Sequence, residues 1–143
     1  MSITTTPTLE IKKIYLKDVT FDHPSSPSVF AKKDVPSMDF TLEAFVEQVE
    51  GSFYEICLKA QVKCRIDKQL AYFLELEQAG LFELIDVADA DIDKTLRIDG
   101  ATIVYPSLRF TIADLTFRAG FDPYTPNDVN FNRMYQLHLK EKA

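Results

Sequence analysis

Glycine is scarce in this sequence, with four in 143 residues, and histidine is scarcer, with two. A phosphate cradle needs glycines where backbone N–H groups approach an anion, and neither a GxGxxG nor a Walker loop is present. His23 and His138 stand 115 positions apart, and the chain holds no HExxH and no CxxC, so a histidine-based metal centre or triad is disfavoured. Positive charge is also in deficit. Lys and Arg number 16 against 22 Asp and Glu, a net charge of −6, which argues against a counterion-displacing nucleic-acid face. No apolar run approaches the roughly 18 residues of a membrane-spanning helix. Cysteine is limited to Cys57 and Cys64. Seven positions apart on one strand, they would lie about 23 Å apart and on opposite faces, far beyond the reach of a disulfide. Both are read as free thiols of a cytoplasmic protein. The Ser/Thr-rich start, residues 1–7, has no basic region and no apolar core. It reads as a flexible tail, not a signal peptide, before one domain over residues 8–143.

What is present is period-two alternation. Hydrophobic residues make up 46% and charged residues 27%, ordinary values for a globular chain. Leu9 to Phe21 alternates with slips: Leu9 and Ile11 share one phase, Ile14 and Leu16 the next, Val19 and Phe21 a third. A strand with bulges fits this better than a helix. A Pro- and Ser-rich connection from His23 to Pro36 follows, too long for a hairpin. Ser37 to Val46 reads as a second strand, with Met38, Phe40 and Leu42 on one face. A turn at residues 50–52 leads to the longest alternation, in which Tyr54, Ile56, Leu58, Ala60, Val62, Cys64 and Ile66 oppose a more polar phase. Asp67 and Lys68 make a tight hairpin into a fourth strand, with Leu70, Tyr72, Leu74 and Leu76 inward and Ala71, Phe73, Glu75 and Glu77 outward. The expected sheet is four-stranded and antiparallel.

After Gly80 the period changes. Residues 86–100 carry Asp86, Asp89, Asp91, Asp93 and Asp99 and read as an acidic connection with a helical turn near Ile92 to Leu96. Tyr105-Pro106 is expected to open a helix, with proline at its first position, and Gly120 to close it as a left-handed cap. Leu108, Ile112, Leu115 and Ala119 form one stripe; Phe110, Ala113 and Phe117 form another. A helix that only covers a sheet needs a single stripe, so the second implies a subunit interface. Asn130 is the expected N-cap of a last helix, on which Phe131, Met134, Tyr135 and His138 share a face. Strands first and helices last read as α+β, a four-stranded antiparallel sheet with a long helix and a C-terminal helix packed on one face.

Chemistry is hard to place on these residues. Glu75 and Glu77 share a face, but same-strand carboxylates usually only solvate a sheet. The aspartates of residues 86–99 lack the glycine and terminal glutamate of a calcium loop. No catalytic residue, no metal site and no cofactor is expected. Asp18 and Asp22 bracket the end of the first strand, and Phe73 sits in the wet phase beside Glu75. If these strands are neighbours, one sheet face carries an acidic patch with an aromatic in it, suited to docking a basic or zinc-bearing module.

Four segments in consistent order carry a family resemblance: IYLKDVTFDHPSSPSVF from Ile14 to Phe30, ELEQAGLF from Glu75 to Phe82, YPSLRFTIADLTFRAGF from Tyr105 to Phe121, and PNDVNF from Pro126 to Phe131. Together they resemble SecB, the bacterial protein-export chaperone family, over about residues 8 to 139. The resemblance implies an ATP-independent holdase that binds unfolded precursor proteins and hands them to the motor SecA. It implies a homotetramer, a dimer of dimers with long helices between sheets, in which Phe110, Ala113 and Phe117 face a neighbouring subunit. It implies no direct insertion into a membrane. It also implies an apolar client groove between the crossing loop and the last helix, matched here by element to Phe30, Met38, Phe40, Leu42, Phe131 and Tyr135. The positions matching the family's SecA-docking side are Asp18, Asp22, Phe73 and Glu75. The family often has Leu where Phe73 stands and Glu where Asp22 stands. Well-known members extend in an acidic tail, whereas this sequence stops at Glu141-Lys142-Ala143, a departure that puts any motor contact through such a tail in question. Two rival readings are a SecB-like chaperone dedicated to one client, such as an antitoxin, and a small-ligand-binding α+β domain.

Overall fold

The computed structural model describes residues 6–142. Most of the expected tail, residues 1–5, lies outside them. Four strands come first: β1 (Thr8–Asp22), β2 (Ser37–Glu50), β3 (Phe53–Ile66) and β4 (Gln69–Ile85). They form one antiparallel sheet in the order β1-β4-β3-β2, so the first two strands of the chain occupy the two edges. The crossing segment spans the sheet between them and contains one short 3-10 turn, Ser28–Ala31.

The phase slips anticipated along β1 are register shifts against β4, one between Ile11 and Lys13 and one between Leu16 and Asp18. Each extra residue turns the next apolar pair back toward the core side. Asp67 and Lys68 both have positive φ, 52° and 64°, the backbone of a two-residue hairpin whose twist matches its strands. β2 and β4 run longer than the alternation suggested, to Glu50 and Ile85. Gly80 therefore lies within β4 and does not end it.

The helical half differs more. Helix begins at Asp89, not Tyr105: α1 (Asp89–Thr95) passes through a π-helical turn, Leu96–Gly100, into α2 (Ala101–Arg118). Pro106 thus sits inside α2 instead of opening it. Local preference favours proline in a first turn, but tertiary burial decides here. Leu96, Ala101, Val104 and Tyr105 are buried ahead of the proline, so ending the helix there would expose that surface. The far end is as anticipated. Gly120 has φ 97°, its N–H donates to Phe117 O, and Phe121 N–H donates to Thr116 O, the two bonds of a Schellman motif. Asn130 Oδ1 accepts the N–H of Arg133 at 3.0 Å, capping α3 (Phe131–Lys142).

The core lies between one sheet face and α2. Ile56, Leu58, Ala60 and Val62 of β3 and Leu74, Leu76 and Phe82 of β4 meet Val104, Leu108 and Ile112. Gln78 is the polar residue beneath the helix, and its Oε1 accepts the hydroxyl of Thr111. The other edge of α2 is bare: Phe110 is 73% exposed and Phe117 65%.

Candidate functional site

Among the described residues no helix lies on the sheet's second face, and strand register arranges its side chains in rows. Asp22 pairs with Phe73, Phe73 with Lys63, and Lys63 with Asp39. The next row on this face is Thr20, Glu75, Gln61 and Thr41, and the next is Asp18, Glu77, Lys59 and Glu43. Asp18, Asp22, Phe73 and Glu75 therefore lie together on one face, across adjacent strands. Register also supplies what the sequence reading left out. Glu77 stands opposite Asp18, while Lys59 and Lys63 on β3 interleave cations with the acids. Gln61 donates to Glu75 at 2.6 Å, Lys59 lies 3.7 Å from the same carboxylate, and Lys63 sits 5.7 Å above the Phe73 ring. These contacts hold Glu75 and Phe73 in place, whereas Asp18 and Asp22 project from the exposed edge strand. The patch is acidic on its β1 side and balanced toward β3.

Further along the same face, Glu55 is buried and accepts hydrogen bonds from the Tyr15 hydroxyl and from Lys17 Nζ at 2.8 Å. Cys57 is buried next to it, and burial pushes its thiol pKa up to about 11. Cys64 is also buried and free, its pKa raised by desolvation, so burial disfavours the thiolate form of both sulfurs.

Two grooves flank β2 on the helix side. One, of about 520 Å³, lies between β2 and α3 and is walled by Leu42, Ala44, Met134, Tyr135, Leu137 and His138. The other, of about 380 Å³, lies under the crossing segment, where Phe30 and Met38 meet Tyr72, Phe121 and Tyr124. The crossing segment is pinned there by aromatic contacts: Phe30 to Phe121 at 5.1 Å, Phe121 to Tyr72 at 4.8 Å and Tyr72 to Phe21 at 5.4 Å. Of the six residues matched to the client groove, Leu42 and Tyr135 line the first cavity and Phe30 and Met38 the second. Phe40 is half-buried on the same strand face between them. Phe131 lines neither groove; it is 5% exposed, its ring 5.4 Å from that of Tyr105 in the core. The first residue after the Asn130 cap must turn inward to anchor α3, which leaves the later turns to form the groove wall.

The groove also contains residues the sequence reading did not assign to it. Arg97, on the π-helical turn, reaches β2 and donates from Nη1 to Ala44 O at 2.9 Å while its Nε contacts Asp93 at 3.0 Å. Nothing in the alternation marks it, because it belongs to the segment read as an acidic connection.

A family model for the preprotein translocase subunit SecB matches residues 3–142. The chain belongs to the SecB family. Curated relatives named protein-export protein SecB agree: that of Burkholderia vietnamiensis is 32% identical over 135 residues, covering 94% of this chain and 85% of that protein. That of Herminiimonas arsenicoxydans is 33% identical over 137 residues, covering 96% and 84%. Among solved structures, a Mycobacterium tuberculosis SecB-like chaperone in complex with a ChAD peptide from the HigA1 antitoxin superposes with a TM-score of 0.72. It shares 19% identity and covers 85% of this chain and 90% of that one, a likeness of fold. SecB is a family of protein-export chaperones and not an enzyme family, which agrees with the scarcity of catalytic groups in the sequence. Among the described residues, no helix is long and apolar enough to cross a membrane.

Proposed function

We propose that this SecB-family chain is an ATP-independent holdase of the cytoplasm that keeps unfolded precursor proteins in its two apolar grooves and delivers them to SecA. The observation that carries the reading is the pair of grooves on one face of β2, joined by the half-buried row Met38, Phe40, Leu42 and Ala44. An unfolded chain offers many short apolar segments, each binding one groove weakly. Linking several such contacts raises avidity by a factor on the order of 10²–10⁴ over any single one.

The assembly we infer is a homotetramer, a dimer of dimers. It is supported by apolar surface that one chain leaves bare: Phe110 and Phe117 on α2, and Leu16 and Val19 on β1, whose register partners Gln78 and Leu76 face α2. A second copy would bury these residues, and the half-buried Ala113 with them. The docking site for SecA is the acidic side of the open sheet face, Asp18, Asp22, Phe73 and Glu75. Projecting carboxylates around a ring suit a positively charged module by steering its approach.

The experiment is light scattering of the purified protein with a reduced, unfolded precursor, without nucleotide, followed by titration with SecA. A tetramer that suppresses aggregation and binds SecA is the expected result. A monomer that leaves aggregation unchanged would overturn the holdase reading. A holdase that ignores SecA would be a chaperone dedicated to another client, such as an antitoxin.

A further inference from the structure

The groove between β2 and α3 contains a polar atom with no partner. Nε2 of His138 is buried in the groove wall and makes no hydrogen bond, one of two such side-chain atoms among the described residues, the other being Ser26 Oγ. Arg97, which also lines the groove, is already committed, because it donates both to Asp93 and to Ala44 O; Glu43 and Glu141 are the other charged residues of the lining. A buried, unpaired imidazole nitrogen is costly, and such groups in folded proteins call for an explanation. A client explains it by the complementary deficit. An extended segment that lays apolar side chains on Leu42, Ala44, Met134 and Leu137 also removes water from its own main-chain amides, which then need partners.

We infer that His138 is the polar contact of this groove, with its ring turning to hydrogen-bond the main chain of a bound apolar segment. The inference rests on the client-groove reading above. Its physical advantage is that the nitrogen is desolvated before the client arrives, so bonding it adds little new desolvation. It gives sequence-independent recognition, since every residue but proline carries a main-chain N–H. Burial, then Arg97 and Lys142, lower the pKa of the ring against the opposing pull of Asp93 and Glu141, which favours the neutral imidazole, a ring with one donor and one acceptor nitrogen.

The test uses the full chain and a fluorescein-labelled peptide of alternating leucine and serine, with affinity read by fluorescence anisotropy. His138→Leu makes the groove more apolar, so a purely hydrophobic site would bind the peptide as well or more tightly. The inference expects the opposite: affinity about three- to tenfold weaker, the worth of one hydrogen bond, with thermal stability unchanged or raised. His138→Gln, which can still reach a main-chain amide, should stay close to the original affinity. Equal or tighter binding by His138→Leu overturns the inference, and so does an equal loss in both variants. Leu137→Asp separates the two levels. Unchanged affinity in that variant removes the groove assignment itself, whereas weakening there with none in His138→Leu removes only the role of His138.

Discussion

Asp22 of β1 and Phe73 of β4 are register partners, which sets a carboxylate on an edge strand beside an aromatic ring on the open sheet face. The proposed SecA site is built around this pair. Charge reversal at Asp18 or Asp22 leaves the core untouched, since both are exposed. Asp18→Lys should reduce SecA affinity at least about tenfold at low salt, mostly through the association rate. Suppression of client aggregation should be unchanged. Unaltered SecA affinity in a titration would remove the site from this face.

Phe110 and Phe117 lie one above the other on the bare side of α2. Replacing both with Ser should cost the isolated fold less than about 0.5 kcal/mol, as exposed positions do. The same double substitution should shift sedimentation from the proposed tetramer toward smaller species. A tetramer that persists unchanged would place the interface elsewhere.

Gly80 tests the packing between β4 and α2. A Cβ at this position would lie 2.7 Å from both Phe82 Cε2 and Val104 Cγ2. Gly80→Ala should therefore destabilise the fold by about 1–3 kcal/mol through overpacking, measured by urea unfolding. Little change in the urea midpoint would show that the helix can shift away from the strand at low cost.

His138 is expected to make stability depend on pH. Its pKa is lowered first by burial, then by Arg97 and Lys142, with Asp93 and Glu141 pulling the other way; Glu43 of β2 is the further charged residue on the groove. The unfolded chain then takes up a proton near pH 6.5, before the folded chain does. The contribution of the neutral ring is complete above that pH and is lost as pH falls below it toward the lowered folded value. The urea midpoint of the wild-type chain should drop more between about pH 7.5 and pH 5.5 than that of His138→Gln. Parallel curves would show that the ring titrates equally in both states.

Much of this was legible from the residues. The slips at Leu9/Ile11, Ile14/Leu16 and Val19/Phe21 foretold both register shifts of β1, because a period of two admits no other way to keep apolar residues on one side. Asn130 and Gly120 marked their helix ends through local hydrogen bonding alone. Pro106 misled. Its local preference for a first turn gave way to Leu96, Ala101 and Val104, whose burial against the sheet carries the helix back to Asp89. Phe131 likewise shares a stripe with Tyr135, yet one lies in the core and the other on a groove.

The amino-acid sequence alone sets the alternation, the turns and the caps, which depend on residues near one another along the chain, and the net acidity, which depends on composition. It also carried the SecB resemblance. Which residues become neighbours across strands emerges in the folded chain. Lys59 and Lys63 temper an acidic face, Arg97 reaches β2 from a π-helical turn, and His138 Nε2 is left without a partner. Those relations arise from register and helix placement, which are set by packing the whole core and not by any one segment.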